Sequence, residues 1–403
     1  MWRLQVYPAH ALQDVRQKTF TSFLDFARWT AAGMVFVGHL RNPLFLGYGA
    51  LDVGDQTLLV KLWFFVTGWY ATAVIVFFVL SGFLVGGLNS AKASIRSFVP
   101  ADYAIDRFTR IFVAFLPALL LTVFLDVLGS SVFSATGFYD HTHPMIREKV
   151  SSAPFIELMT PEVFFGNAAL LQTYVVPPFG SNQPLWTISS EFWFYVVFGL
   201  LLSACIYKSL ALRAISTLLT ILIFIVLGAR FPVFLGLWLI GVATAFVPWR
   251  ILERPVTALL LFVLVLVFTR LWQDSFRGSF MLISIRNYIV AISFAWLLVS
   301  MRHVHSEIFE RLGRFNRFMA DFSYSLYLIH FPLMLFVLGA LHWTGWFAQI
   351  AEGYRPTSGE GLLIYFGVIL LVYLSAWVFS QVTERQTGKI RRMLKNRLTS
   401  AER

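Results

Sequence analysis

Arg28 and His39 stand eleven residues apart in an otherwise apolar stretch, FLDFARWTAAGMVFVGHL at residues 23–40. On a helix of about 100° per residue they fall roughly 20° apart on the wheel and about 16 Å apart along the axis. Asp25 shares that face, and Ala32 and Val35 leave a groove of modest side chains between the two. Ionisable groups inside a bilayer are costly and mark a working site by default. The plainer readings are that Arg28 snorkels to the headgroups and that His39 is a satisfied core histidine.

Other segments carry chemistry of matching kinds. In DRFTRIFVAFLP (106–117), Arg107 and Arg110 are i, i+3 neighbours on one helical face, where like charges repel. A polyanion between them would remove that penalty, as would the helix-start Asp106. With Arg28 they would make a cationic mouth, and arginine forks match phosphate oxygens. Alone, the pair also reads as plain positive charge at the inner membrane face. In QPLWTISSEFWFY (183–195), Trp186 reads as an interfacial anchor with Glu191 about 7–8 Å deeper. His39 stands some 22 Å up a core of about 30 Å, at the same level. A carboxylate and an imidazole at one depth can form an acid–base pair; Glu191 can also simply brace helices. FFVLSGFLVGG (77–87) places Ser81 near the inner mouth among small residues that permit close packing. DFSYSLYLIHFP (321–332) puts Ser325, Tyr327 and His330 into a span as lining candidates. The pairs His141/His143 and His303/His305 lack further ligands at suitable spacing, so no metal site is expected.

The elements that must position these residues are membrane helices. Of the 403 residues, 58% are hydrophobic and only 13% charged, with 42 Phe and 13 Trp. Soluble domains average about 45–50% apolar and 25% charged, so a polytopic membrane protein is expected. The first 20 residues lack the apolar core of a cleavable signal peptide. The single Cys205 excludes an intramolecular disulfide and any multi-cysteine metal site. Apolar runs of about 20 residues suggest spans near 24–43, 62–87, 108–128, 186–207, 214–229, 231–248, 256–272, 284–301, 321–341 and 361–382. The stretch 162–176 is short and reads as a surface or re-entrant helix. With the N-terminus inside, cytoplasmic segments hold 23 of the 32 Lys and Arg, counting Arg28, Arg107 and Arg110 at the span mouths. That bias follows the positive-inside rule with both termini cytoplasmic, so the net charge of +11 is topology rather than nucleic-acid binding. The expected fold is an all-α integral membrane bundle of about ten transmembrane helices. A cytoplasmic segment 1–23 precedes the domain 24–382, and a basic tail 383–403 follows it, suited to anionic headgroups.

Five motifs, FLDFARWTAAGMVFVGH, VFFVLSGFLVGG, DRFTRIFVAFLP, PLWTISSEFWFY and FSYSLYLIHFP, occur in the order seen in the membrane acyltransferase-3 family, which the chain resembles from about residue 20 to 385. The family's Arg-x10-His pattern falls on Arg28 and His39, its R-x-x-R pattern on Arg107 and Arg110, and its Trp-Ser-x-x-Glu-like pattern on Trp186 and Glu191. Thr187 stands where a serine is usual and Ala27 where a glycine is usual, and TERQTGK lacks the usual proline after the glutamate.

The resemblance implies a ten-span, acyl-coenzyme A-dependent membrane O-acyltransferase, most simply an O-acetyltransferase of the bacterial cytoplasmic (inner) membrane. Arg28, Arg107 and Arg110 would hold the phosphates of acetyl-CoA or another acyl-CoA. His39 would act as general base or as a covalent acyl carrier, oriented or charge-balanced by Glu191. Trp186, Ser81, Tyr327 and His330 would contact the acceptor, a hydroxyl of an extracytoplasmic or lipid-linked glycan. No metal and no nucleic acid is expected; a homo-oligomer is left open. The alternative is a secondary transporter or flippase of a lipid-linked sugar or small solute, with the same polar groups lining an ion pathway. A membrane glycosyltransferase would need acidic or metal-binding motifs that the sequence does not present.

Overall fold

The computed structural model describes residues 7–95, 97–150, 153–248, 254–276 and 278–401, and among them it is all-α. The first long helix, α1 (Lys18–Leu44), starts six residues before the expected span. The second expected span is broken. Leu58–Val66 (α2) ends at Thr67, and Tyr70–Ser81 (α3) continues through a π-helical turn, Gly82–Gly87, into Leu88–Ser94. There follow α4 (Pro100–Val132), α5 (Trp186–Ile206), α6 (Leu210–Leu227), α7 (Arg230–Thr244), α8 (Pro255–Leu271), α9 (Phe280–Ser300), α10 (Ser323–Trp343), α11 (Gly359–Val382) and α12 (Thr387–Ala401).

Seven segments of the described residues are long and apolar enough to cross a membrane, which makes this a multi-pass membrane protein. The helices α7 and α8 are apolar but shorter. Asp25, Arg28, His39 and Arg41 lower the hydropathy of α1, although it is long enough to span. The stretch expected as one surface or re-entrant helix is shorter: Pro161–Ala168 is helical, and the chain then turns. Leu170 there has positive φ, and its carbonyl accepts from Ser189 Oγ and from Trp193 Nε1 of α5.

Helix α10 is the hub. It packs against α1, α4 and α11, and α1 in turn packs on α3. At its N-terminal end the short helix Gly313–Asp321 covers α1, where Asn316 donates to Ser22 Oγ and accepts from Trp29 Nε1. Lipid supplies no hydrogen-bond partners, so each polar side chain in such a bundle must find one inside it. The tail does more than meet lipid. Its helix α12 docks on α4, with Lys395 Nζ 3.0 Å from Asp106 Oδ1 and 3.1 Å from Asp102 Oδ1.

The π turn marks a close helix crossing. A methyl group at Gly82 would lie 2.0 Å from the Trp238 carbonyl oxygen, and one at Gly241 would lie 2.0 Å from that of Val79. Only hydrogen fits between these backbones, so α3 and α7 meet there and Ser81 is held against Trp238. Such turns recur at functional sites.

Candidate active site

A cavity of about 560 Å³ opens between α1, α3, α4, α5, α10 and the end of α11. Arg28, Arg107 and Arg110 all line it, so helices distant in sequence converge there. Their charges are used differently. Arg110 Nη1 lies 2.7 Å from Glu384 Oε1, and its guanidinium covers the Tyr324 ring at 4.9 Å. Arg28 Nη1 is 3.7 Å from Asp25 Oδ1, one turn back on α1. Arg107 has no carboxylate partner among the described residues: its guanidinium lies over Tyr195, 5.7 Å from the ring centroid, and its buried Nε is unpaired. The i, i+3 repulsion that the sequence reading relieved with a polyanion is relieved at Arg110 by Glu384. That carboxylate is almost buried, and its other oxygen accepts from Ser325 N–H and Oγ.

A chain of donors fixes Glu191. Trp238 Nε1 donates to Ser81 Oγ at 3.1 Å, Ser81 Oγ lies 3.0 Å from the Tyr195 hydroxyl, and that hydroxyl donates to Glu191 Oε1 at 2.5 Å. The phenol has one proton and gives it to the carboxylate, so Ser81 donates to Tyr195. Ser81 and Glu191 both line the cavity.

His39 is elsewhere. Its Nδ1 lies 3.0 Å from His330 Nε2, and the two rings stack 5.3 Å apart with 11° between their planes. His330 is fully buried, whereas His39 keeps some accessible surface. The other nitrogen of His330, Nδ1, is 2.8 Å from the Tyr327 carbonyl. A carbonyl only accepts, so Nδ1 of His330 carries its proton. With both rings neutral, His330 Nε2 then accepts from His39 Nδ1–H, and His39 Nε2 is left with a free lone pair. The chain of bonds thus selects the tautomer in which His39 is basic at Nε2. The expected His39–Glu191 pair does not form. Equal depth did not mean adjacency: the imidazole bonds α10, and the carboxylate bonds Tyr195 on its own helix.

Tyr327 links the two regions. It lines the cavity, and its hydroxyl accepts from Thr187 Oγ1 at 2.7 Å and donates to the Pro184 carbonyl at 3.0 Å. The preceding loop is pinned by Asn182, whose Nδ2 donates to Thr122 Oγ1 and to the Leu328 carbonyl, and by Ser181, which donates twice to buried Asp126. Thr187, the residue that replaces the usual serine, therefore faces the cavity. Trp186 does not line it; its ring packs on Phe78 and Phe234. His330 likewise stands behind the wall rather than in it.

Sequence reasoning passed over Tyr195, Tyr324, Asp321 and Glu384, all cavity residues. Tyr195 follows Glu191 by four positions, one helical turn, and Glu384 is an acid closing an apolar helix; both were available signals. Among the described residues no group of His, Cys, Asp and Glu is placed to hold a metal.

A family model described as an acyltransferase domain, that of the acyltransferase-3 family, matches residues 21–381. The chain is 32% identical over 177 residues to an O-acetyl transferase of Shigella phage Sf6. That match covers 43% of this chain and 44% of the relative, so it spans under half of either protein. No solved structure matches the chain.

Proposed function

The chain belongs to the acyltransferase-3 family, and from this we propose that it moves an acyl group, most simply acetyl, from acyl-CoA to a hydroxyl of an extracytoplasmic or lipid-linked glycan. Ten spans and cytoplasmic termini are part of the proposal: α11 would return the chain to the side on which α1 begins. Acyl-CoA enters the large cavity from the cytoplasm. Arg107 takes a phosphate as its missing partner, Arg28 gives a second contact, and Arg110, held by Glu384, adds positive field. The pantetheine arm runs along α3 toward Tyr327.

The observation that carries the mechanism is the bond from His39 Nδ1 to His330 Nε2. His39 Nε2 takes the proton of the acceptor hydroxyl as its oxygen attacks the thioester carbonyl. The C–S bond then breaks and the proton passes to the leaving coenzyme A thiolate. Throughout, His330 keeps the imidazole in one tautomer and shares the positive charge. A covalent acyl-histidine formed at the same Nε2 is the second route. Glu191, tied to Tyr195, belongs on this reading to the donor cavity, where its free oxygen orients the coenzyme arm.

The test is transfer from labelled acetyl-CoA by the purified protein. His39→Ala should lose nearly all transfer and keep acetyl-CoA affinity, because Arg28 lies about 16 Å away along α1 and Arg107 and Arg110 stand on another helix. Normal transfer by His39→Ala would end the proposal. Solute uptake driven by an ion gradient, without acyl-CoA consumption, would establish the transporter reading instead.

A further inference from the structure

A second, smaller pocket of about 170 Å³ is lined by Gly68–Thr72, Thr269, Arg270, Phe276, Ile283 and Arg286. It holds two arginines from α8 and α9, and α3 opens onto it with its first turn. Trp69, the residue before that turn, offers no side-chain cap, and a helix leaves its first backbone N–H groups without intrahelical partners, here at the end of α3 that lines the pocket. Arg286 meets no carboxylate among the described residues; its guanidinium donates to the neutral Asn287 side chain. Just behind, Arg41 joins Arg270 on the Phe64 carbonyl, to which they donate at 3.4 and 2.8 Å, so one more positive charge stands at the α2–α3 break. Gly68 makes room for this: a methyl group there would lie 2.2 Å from Arg270 Nη2. A guanidinium such as that of Arg286, with only a neutral partner at a membrane helix end, is costly, and an anion beside it removes the cost.

Helix α3 walls both cavities in succession, with residues 70–72 in the small one and 74–85 along the large one. The histidine pair stands between. His39 packs 5.4 Å from the Tyr70 ring, which lines the small pocket, and His330 bonds the carbonyl of Tyr327, which lines the large one. A pocket of about 170 Å³ is below the roughly 300–1,000 Å³ of ordinary ligand sites, so it suits one functional group rather than a sugar chain.

We propose that this pocket is the anion seat of the acceptor: on the far side of the histidine pair from the coenzyme, Arg286, Arg270 and the first turn of α3 hold a phosphate or carboxylate borne by the sugar that is acylated. This rests on the acyl-transfer reading above. A lipid-linked sugar phosphate and an acidic sugar residue share that chemistry.

Equilibrium binding to the full chain in neutral detergent tests it, with geranyl diphosphate as the lipid-linked anion, glucuronate as the acidic sugar and glucose as the neutral control. One anion should bind and glucose should not; which anion binds identifies the source. Arg286→Gln should weaken that binding about tenfold or more, Arg286→Lys should restore part of it, and both should leave acetyl-CoA affinity unchanged. Failure of both anions to bind would overturn the seat, as would equal binding by Arg286→Gln. So would loss of anion binding in Arg107→Gln rather than Arg286→Gln, which would place the anion in the large cavity. Anion binding through Arg286 without any acetyl transfer would instead refute the acyltransferase mechanism and leave the seat standing.

Discussion

Helices α8 and α10 are both strongly apolar, yet their surroundings are opposite. Among the described residues α8 buries only Ala258 and Thr269, and it turns Leu260 and Leu264 outward. Helix α10 buries almost its whole middle, including Ser325, Tyr327 and His330. In water the more apolar helix would go inside. In lipid the tails are as apolar as leucine, so apolar side chains gain little by burial, and packing and hydrogen bonds sort the helices instead. The polar residues of α10 are therefore both the reason it is central and the material of the site.

That contrast can be broken by substitution, and the largest effect should come from His330. If it acts only by setting His39, His330→Ala should lower transfer by a hundredfold or so, within the range of roughly 10²–10⁴ that general-base catalysis contributes. The double change with His39→Ala should be little worse than His39→Ala alone, because groups acting as a unit are not additive. Transfer rates across the cycle, taken beside acetyl-CoA affinity, decide it. Additive losses would mean His330 has a separate role.

Next comes Arg107. Arg107→Ala should cost about tenfold in acetyl-CoA affinity, consistent with a charge-assisted contact of about 1.5–3 kcal/mol. Glu384→Gln should move Arg110 without removing the Arg107 contact and so cost less affinity. A larger loss for Glu384→Gln would make Arg110 the main phosphate ligand. Calorimetric titration of the three proteins gives the order directly.

A smaller effect is expected at the α3–α7 crossing. Gly241→Ala forces a methyl group against the Val79 carbonyl, and overpacking of this kind costs about 1–3 kcal/mol. It should lower the unfolding temperature in detergent by several degrees. Smallest of all, Leu264→Ala on the lipid face of α8 should change stability by less than about 0.5 kcal/mol. A marked loss there would show that another surface covers α8.

These differences also explain what could be read from the chain. Among the described residues each expected apolar run is largely helical, the second as two helices with a break between them, because runs that long are legible without knowing their neighbours. Arg28, Arg107, Arg110, Ser81, Glu191 and Tyr327 do share one cavity, since face and depth follow from helical geometry. Adjacency between helices does not follow. His39 and Glu191 have matching depths, but whether α1 presents His39 to α5 or to α10 depends on packing order around the bundle, which periodicity does not encode. The break at Thr67–Trp69 was hidden for a related reason. Its flanks are continuously apolar, and the residues that occupy it, Arg41 and Arg270, come from other helices.

The π turn at Gly82–Gly87 has a geometric consequence of its own. Its wider loop uses an extra residue, so everything beyond it is set back by about 100° relative to an uninterrupted α-helix. It acts as a phase shifter. Before it, Val74 and Phe78 are buried; after it, Asn89 and Ala91 are buried in Leu88–Ser94, which packs on the short helix Tyr7–Asp14. Loops on this protein can gain or lose a residue and leave the spans where they are. Deleting one residue from GFLVGG would restore an ideal helix and, by rotating one half against the other, disconnect the cavity wall from the base it stands on.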